Sequence, residues 1–417
     1  MNLIIRKVTV IDPTSKYHHQ ILDIKIENGI IKEIGTQIAN EDDFEELQLL
    51  HLHVSKGWFD SSVSFGEPGF EDRETIENGL NVAGKSGFTA VALQPNSYPV
   101  IDNQAHVNFV QAKAMNAATK LYPIGALTKN SEGIDLAELF DMKRAGAIAF
   151  GDYNQNIDNA NLLKIALQYT QDFNTTVIAF SNDKAINGKG IVNEGEVAIQ
   201  LGLKGIPNLA EEIQIARNLA ILEYTGGKLH IPTISTSKAV TLIQEAKKKG
   251  LNVTCSVAVH NLVLTDAVLH HFDSRHKVVP PLRSENDRQA LLEGLKMGVI
   301  DLITSDHNPI DIEHKKMEFD LAKNGTIGLE SAFGALLTVL PLDLVIQKLT
   351  SGKQLFGIKE FEIQEGSKAD VTFFNPELNW EFSKEAILSQ SKNSAFLGQK
   401  MKGKAIGIYN NNQLLLA

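Results

Sequence analysis

Cysteine, long apolar runs and positive charge are all scarce in this sequence. Its single cysteine, Cys255, excludes an intramolecular disulfide bond, so we expect a reducing compartment. No stretch reaches about 18 uncharged apolar residues, and the first residues lack the apolar core of a signal peptide. The formal net charge of −10 argues against nucleic-acid and anionic-membrane partners, because both require a basic face. These absences predict a cytoplasmic protein.

The rest of the composition is ordinary for a globular protein. Of the 417 residues, 43% are hydrophobic and 22% are charged, which is enough apolar material for a large core. The length exceeds that of one average domain. It fits one large domain with a smaller companion.

Both ends of the chain carry patterns that are typical of β-strands. Near the start, residues 3–11 and 23–34 alternate apolar and polar side chains, and the second stretch is interrupted by a turn at 27–29. Near the end, residues 369–374 and 403–409 read as strands. The simplest explanation is that the two ends pair. We therefore predict a small β domain, a β-sandwich, from residues 1–56 and 360–417.

The middle of the chain alternates short apolar runs with amphipathic segments. Segments such as 161–173 and 209–224 have the apolar spacing of helices. Strands that alternate with helices indicate a parallel sheet. Eight such units favour a closed (β/α)8 barrel over 57–359, since no Gly-x-Gly-x-x-Gly motif of an open nucleotide-binding sheet follows an early strand. The predicted strands are 57–63, 89–94, 121–127, 148–151, 176–181, 228–235, 252–257 and 300–304.

Functional residues of a (β/α)8 barrel lie at the carboxyl ends of its strands, which we call the barrel mouth. A hydrolytic metal site there needs about three to five histidine and carboxylate ligands. His230 and Thr233 have opposite parity on one predicted strand, so they face opposite sides, and the same holds for Asp306 and His307. The residues alone favour a small-molecule pocket over a zinc site. The candidates are Asp60, Asp152, Asp183, His230, Asp306 and His307.

A His-x-His pair, His51 and His53, has the local form of a metal-binding motif. It precedes the first barrel strand, at the wrong end of that strand for the barrel mouth. We interpret it as two histidines on one face of a linking strand.

Five short motifs follow the predicted strands or lie in the loops beyond them. They are DSSVSFGEPG at 60–69, GFTAVALQPN at 87–96, HIPTIST at 230–236, PPLR at 280–283 and DHNP at 306–309. Taken together, these motifs resemble segments of dihydroorotases, which belong to the cyclic amidohydrolase superfamily. The resemblance runs almost from end to end and implies a barrel of the amidohydrolase type. It also implies a role in pyrimidine biosynthesis, where the family converts dihydroorotate reversibly to N-carbamoyl-L-aspartate.

Most of the side chains that hold zinc in that family are replaced in this sequence. Hydroxyl groups are neutral and poor zinc ligands, and a phenyl ring offers no ligand atom. Zinc is the family's cofactor, but we predict that this chain binds no metal. The positions that correspond to family histidines are Ser62 and Ser64 after strand one, Phe180 after strand five and Thr233 after strand six.

The bridging metal ligand of the family, a lysine or an aspartate after strand four, corresponds to either Asp152 or Tyr153. The motif match leaves these two alternatives open. Asp306 is kept and resembles the family's general base, although without an activated water it has nothing to deprotonate. Asn96 and His307 resemble two of the groups that hold the substrate. Two further groups are lost, because Gly66 stands at an arginine position and Val279 at an asparagine position.

These matches and replacements predict a dihydroorotase-like protein that is metal-free and catalytically inactive or severely impaired. The resemblance implies aspartate transcarbamoylase as a partner, which this chain would serve in a structural or regulatory role. Self-association and a small acidic metabolite are further candidates. The alternative is an active dihydroorotase that uses an altered metal site built from Asp152, Asp183 and Asp306.

Overall fold

The computed structural model describes residues 1–40 and 43–417, and its first part is a series of short strands. Leu3, Ile5, Val8 and Val10 are buried, so the first strand presents one face to a core. The strands are β1 Leu3–Val10, β2 Ile21–Glu27, β3 Ile30–Gly35, β4 Glu45–Leu47 and β5 His53–Lys56. β1 pairs antiparallel with β2, and β2 with β3. The strands predicted at 3–11 and 23–34, with their turn, are confirmed.

The linking strand β5 begins at His53 and does not include His51. His51 lies in a turn with φ of 54°, and its Nδ1 is 3.0 Å from Glu377 Oε2. His53 instead stacks on Phe374, with ring centroids 5.6 Å apart. The interpretation of two histidines on one strand face is therefore wrong, because a turn and not an extended backbone connects them.

A sheet of eight parallel strands forms the barrel. Its strands are β6 Trp58–Val63, β7 Phe88–Leu93, β8 Lys120–Gly125, β9 Ala149–Phe150, β10 Thr176–Ile178, β13 Leu229–Ile231, β14 Val253–Ala258 and β15 Leu302–Thr304, and a separate two-stranded pair is β11 Val192–Asn193 and β12 Gly205–Ile206. At the seam between β15 and β6, the Ser64 amide donates to the His307 carbonyl at 2.7 Å. This contact draws the first and last strands together, so the predicted (β/α)8 barrel is confirmed.

The last three strands return to the first sheet. They are β16 Val371–Glu381, β17 Lys400–Asn410 and β18 Gln413–Leu416. The order along this sheet is β18-β17-β16-β5-β1-β2-β3, with β4 paired beside β1. β16 runs antiparallel to β5, which joins the two chain ends as predicted. The domain limits 1–56, 57–359 and 360–417 stay a prediction.

Fourteen α-helices lie within the described residues, most of them between barrel strands. Amphipathic spacing and N-terminal caps explain several of them: Thr75, Asn159, Thr236 and Ser284 each accept a backbone N–H at a helix start. No helix in 1–40 and 43–417 is both long and apolar enough to cross a membrane. The helices are α1 Ile76–Lys85, α2 Gln104–Lys113, α3 Leu139–Ala145, α4 Ala160–Tyr169, α5 Lys184–Asn187, α6 Glu196–Leu201, α7 Asn208–Thr225, α8 Ser237–Lys248, α9 Val259–Val263, α10 Glu285–Lys296, α11 Ile312–Lys315, α12 Leu329–Leu336, α13 Leu342–Thr350 and α14 Gly352–Leu355.

The interior of the barrel is filled by an apolar cluster. Phe59 of β6 packs against Phe356, just after α14, with ring centroids 5.8 Å apart. Small and branched residues of the other strands complete this cluster, among them Ala90, Ile124 and Ile178. Because the interior is packed, the polar residues that follow the strands collect at the mouth.

Candidate functional site

Asp306 is the buried acid at the centre of the barrel mouth. It follows β15, is 6% exposed and has φ of 47°, a left-handed conformation that is uncommon for a non-glycine residue. Its Oδ1 accepts the Ser62 hydroxyl at 3.1 Å. Burial raises the pKa of Asp306 to about 7, the Ser62 hydrogen bond opposes this rise, and the charge of Asp60 adds to it. Asp306 can therefore exchange a proton near neutral pH.

Asp60, near Asp306, is occupied by hydrogen bonds from the protein. Its carboxylate accepts the Ser62 amide at 3.0 Å, the Ser305 amide at 2.9 Å and the Thr304 hydroxyl. These bonds join the end of β6 to the end of β15. Asp60 thus supports the closing seam as a hydrogen-bond acceptor.

The serines at two family histidine positions are bonded to neighbouring side chains. Ser62 Oγ accepts the Gln94 amide at 3.2 Å while it donates to Asp306. Ser64 Oγ accepts the Asn96 side-chain amide at 2.9 Å. Asn96, which we predicted to bind substrate, therefore lies beside a replaced ligand position and uses one of its N–H groups there.

Strand six ends earlier than predicted, and this changes the placement of His230 and Thr233. β13 stops at Ile231, and Thr233 has φ of 45°, so side-chain alternation does not extend between the two residues. His230 Nε2 is 3.2 Å from Ser256 Oγ, and the Thr233 amide donates to the same oxygen at 3.1 Å. The two residues are therefore linked through Ser256, and they do not lie on one continuous strand as predicted.

His230 is nonetheless a buried core histidine. Its Nδ1 is 2.9 Å from Thr254 Oγ1, and its ring lies edge-on to Phe356. Burial lowers the pKa of His230 to about 3, so the ring is neutral. The Thr233 hydroxyl is also buried, and it has no hydrogen-bond partner among the described residues.

The structure distinguishes Asp152 from Tyr153 after strand four. Asp152 accepts the amides of Leu127 and Thr128 at 2.9 and 3.0 Å, and its second oxygen accepts the Thr128 hydroxyl at 2.6 Å. Tyr153 has φ of 53°. Burial, and after it the charge of Asp306, raise the pKa of Tyr153 well above its ordinary value. The charge of Asp306 at the mouth thus acts on Tyr153, whereas Asp152 holds the loop at Leu127 and Thr128.

His307, the second predicted substrate-binding residue, points to the start of α12. Its Nδ1 accepts the amides of Gly328 and Leu329 at 3.2 and 3.4 Å, and its ring lies edge-on to Phe65. Burial lowers the pKa of His307 to about 3. Since Nδ1 is an acceptor, the neutral ring carries its proton on Nε2, which is buried without a partner in the part of the chain that the structure describes.

Gly66, at the family's arginine position, has a backbone geometry that leaves no room for a side chain. Gly66 has φ of 93°, and a Cβ atom there would lie 2.5 Å from the carbonyl oxygen of Phe70. A side chain at this position would require the loop to move. Val279 precedes a cis peptide bond to Pro280.

His260 is a polar residue near strand seven that the sequence analysis did not single out. It follows β14 in α9, is 1% exposed, and neither ring nitrogen has a partner within 1–40 and 43–417. Burial lowers the pKa of His260 to about 3. A histidine within the apolar run 257–264 was the available signal.

The mouth residues do not fit the zinc site of a metal-dependent hydrolase. Asp306 accepts the Ser62 hydroxyl, and its charge helps to raise the pKa of Tyr153, while Phe180 is 4% exposed and apolar. Among the described residues, the one group of three histidine, cysteine or acidic side chains with ligand atoms within 4.8 Å of one another lies outside the mouth. Apart from the Asp306 carboxyl group, the side chains at the family's ligand positions are neutral hydroxyls or an apolar ring, and zinc binds such groups poorly.

Comparisons with known proteins agree with the motifs. A family model described as Dihydro-orotase-like matches residues 53–239. Dihydroorotase of Pelotomaculum thermopropionicum is 40% identical over 97% of this chain and 96% of that protein. Dihydroorotase of Pelobacter propionicus is 37% identical over 97% of both chains.

The comparison of structures supports the fold alone. L-hydantoinase from Arthrobacter aurescens superimposes with a TM-score of 0.84 at 20% identity, over 100% of this chain and 96% of that one. This likeness confirms the barrel with its terminal sheet as an amidohydrolase fold. With the sequence relatives above, it leads to one conclusion: the chain belongs to the dihydroorotase family.

Proposed function

We propose that this member of the dihydroorotase family holds no metal at the barrel mouth and is catalytically inactive or severely impaired. The observation that carries the proposal is the set of side chains at Asp306 and at the other positions where the family has metal ligands. Ser62 and Ser64 are bonded to protein groups, and Phe180 is apolar. Zinc in proteins is held by imidazole, thiolate and carboxylate ligands, and this set offers one carboxylate.

The consequence for catalysis is the loss of an activated water molecule. A catalytic zinc ion lowers the pKa of its bound water from about 15.7 to about 7. Asp306 alone supplies a carboxyl group, and one of its oxygens already accepts the Ser62 hydroxyl. A base without an activated nucleophile adds little to the attack on a ring amide. We therefore expect no hydrolysis of dihydroorotate above the uncatalysed rate.

A second candidate function is an active dihydroorotase with an altered metal site. Two observations favour it: 40% identity to a dihydroorotase over nearly the whole chain, and a pKa of about 7 for Asp306, which suits a general acid or base. However, the other acids it would need have structural partners. Asp152 holds the loop at Leu127, and Asp183 caps α5 through the amides of Ala185 and Ile186.

Dihydroorotate hydrolysis at neutral pH separates these two candidates. We expect no turnover, either without added metal or with zinc or manganese. Turnover that disappears in Asp306→Asn and persists in Asp172→Asn, a control at an exposed aspartate, would establish the second candidate and contradict the first.

We also propose that the chain acts as a structural or regulatory partner of aspartate transcarbamoylase. Support comes from the contrast between an intact scaffold and replaced ligands: the barrel, its closing seam and most family motifs persist without the metal-binding residues. We expect the chain to co-elute with aspartate transcarbamoylase of the same organism at micromolar concentration. Separate elution, with no change in the transferase's stability or kinetics, would contradict this role, and elution as a homo-oligomer would replace it by self-association.

A small acidic metabolite is the ligand that the retained polar residues would favour at the mouth. His307 offers an unpaired Nε2–H, and Asn96 offers an amide. Both are donors suited to a carboxylate. Calorimetry with N-carbamoyl-L-aspartate tests this point, and we expect any binding to weaken in Asn96→Ala.

A further inference from the structure

Three metal-ligating side chains meet at the surface, where the first loop of the terminal sheet contacts a barrel helix. His18 and His19 lie in the loop between β1 and β2, and Asp343 lies in the first turn of α13. One ligand atom from each lies within 4.8 Å of the other two. We call these three residues the surface histidine cluster.

The geometry of the cluster is close to that of a tetrahedral site. His19 Nε2 is 3.6 Å from Asp343 Oδ2. With zinc–ligand bonds of about 2.0–2.2 Å, the ligand atoms of a tetrahedral site are about 3.3–3.6 Å apart. The two donor atoms thus already have nearly the separation that a shared metal ion requires.

The backbone brings two consecutive histidines to the same side. Neighbouring side chains usually diverge, but His19 has φ of 62°, and the ring centroids of His18 and His19 are 3.8 Å apart. A left-handed conformation at a non-glycine residue is unfavourable and persists where the surroundings impose it. The loop is held by the His19 amide, which donates to Val10 O at 2.8 Å, and by Ser15 Oγ, which donates to Ile363 O at 3.0 Å.

We propose that His18, His19 and Asp343 bind a divalent transition-metal ion of the zinc class, with water completing its coordination. Two imidazoles and one carboxylate are a ligand set that zinc accepts, whereas magnesium and calcium require mostly oxygen ligands. The bound ion would connect the terminal sheet to α13 of the barrel. This site is separate from the barrel mouth and does not depend on Asp306.

Two features make the site weaker than a closed structural zinc site. The side chains of His19 and Asp343 are 56% and 55% exposed, so water competes for both. His18 Nδ1 accepts the Asp12 amide at 3.2 Å. A metal ion bound to either ring nitrogen breaks this contact, because the neutral ring has only one free lone pair. We therefore expect reversible binding that follows the zinc concentration.

Titration of the full untagged chain with zinc chloride tests the site. We expect one zinc ion per chain to bind saturably and to raise the thermal unfolding midpoint. His19→Gln and Asp343→Asn should each weaken this binding by about tenfold or more, since even changes beside metal ligands cost about 10–100-fold. His51→Gln is the matched control, because His51 pairs with Glu377 at 3.0 Å in a similarly exposed place but belongs to no group of three ligand atoms among the described residues.

Several outcomes would overturn the site. Absence of saturable zinc binding would do so, as would binding that His19→Gln and Asp343→Asn leave unchanged. Zinc binding that only Asp306→Asn removes would place the ion at the mouth instead. Circular dichroism of each variant confirms that it is folded, which is expected because His19 and Asp343 lie at the surface.

Discussion

Replacement of Asp306 by asparagine should stabilise the protein at alkaline pH and not at acid pH. The carboxyl group is buried, and burial raises its pKa from 3.8 to about 7. Between about pH 4 and 7 the folded state therefore binds a proton that the unfolded state has released. Unfolding free energy must fall as pH rises through this window and level off above pH 7.

The magnitude follows from the two pKa values. At 1.36 kcal/mol for each pH unit, the difference between 3.8 and about 7 corresponds to about 4 kcal/mol of stability lost above neutral pH. Asparagine has no charge to bury, and it tolerates the left-handed backbone of position 306. It does bring an amide that needs a partner, at a cost of about 1–3 kcal/mol. We expect a net gain of about 1–3 kcal/mol at pH 8 and a small loss at pH 5.

Urea unfolding of the wild type, Asp306→Asn and the control Asp172→Asn at pH 5 and pH 8 measures this effect. Buried histidines such as His230 and His307 change the unfolding free energy with pH in the opposite direction. Because all three proteins contain these histidines, their effect cancels in the difference between wild type and variant, which leaves the effect of Asp306. If zinc held Asp306, its ionised form would be stabilised. Asp306→Asn would then be destabilising at pH 8, and that result would refute the reasoning.

Three further predictions follow from the same residues. Ser62→His should bind no zinc, because one added imidazole does not make a site; a variant that also carries the other four family ligands should bind it in an equilibrium zinc assay. Gly66→Arg should destabilise the protein by about 1–2 kcal/mol or more in urea unfolding, because position 66 has φ of 93° and meets Phe70 O. Asp183→Ala should cost about 1 kcal/mol through its lost helix cap and leave zinc content unchanged. In the combined zinc-binding variant, the four substitutions added to Ser62→His are Ser64→His, Tyr153→Asp, Phe180→His and Thr233→His.

Periodicity predicted most of the fold because it reports burial directly. The alternating residues 3–11 and 23–34 form β1 to β3, and the amphipathic segment 209–224 forms α7. The pairing of the two chain ends in one sheet was predicted because both ends carry β-strand patterns. The pairing of the short strand β4 with β1 is set by contacts between residues distant in the sequence, and local patterns do not encode it.

The sequence named the residues of the candidate site but did not indicate their geometry. Motif matching located Asp306, Asn96 and His307, yet Tyr153 and Thr233 turn into the left-handed region just after their strands. Non-glycine residues rarely adopt that conformation, so no local sequence pattern predicts it. Strand alternation therefore does not extend to Thr233. The motif match alone did not reveal that Asp152 is bonded to Thr128 or that the charge of Asp306 acts on Tyr153.

Zinc content at the barrel mouth tests most directly whether this family member lacks the metal site. Untagged protein should carry His19→Gln, so that the surface histidine cluster does not contribute zinc. After mild dialysis we predict far less than one zinc ion per chain by elemental analysis, because hydroxyls and a phenyl ring stand where imidazoles are needed. A full equivalent of zinc that is retained in this background, and released when Asp306→Asn is added, would contradict the prediction.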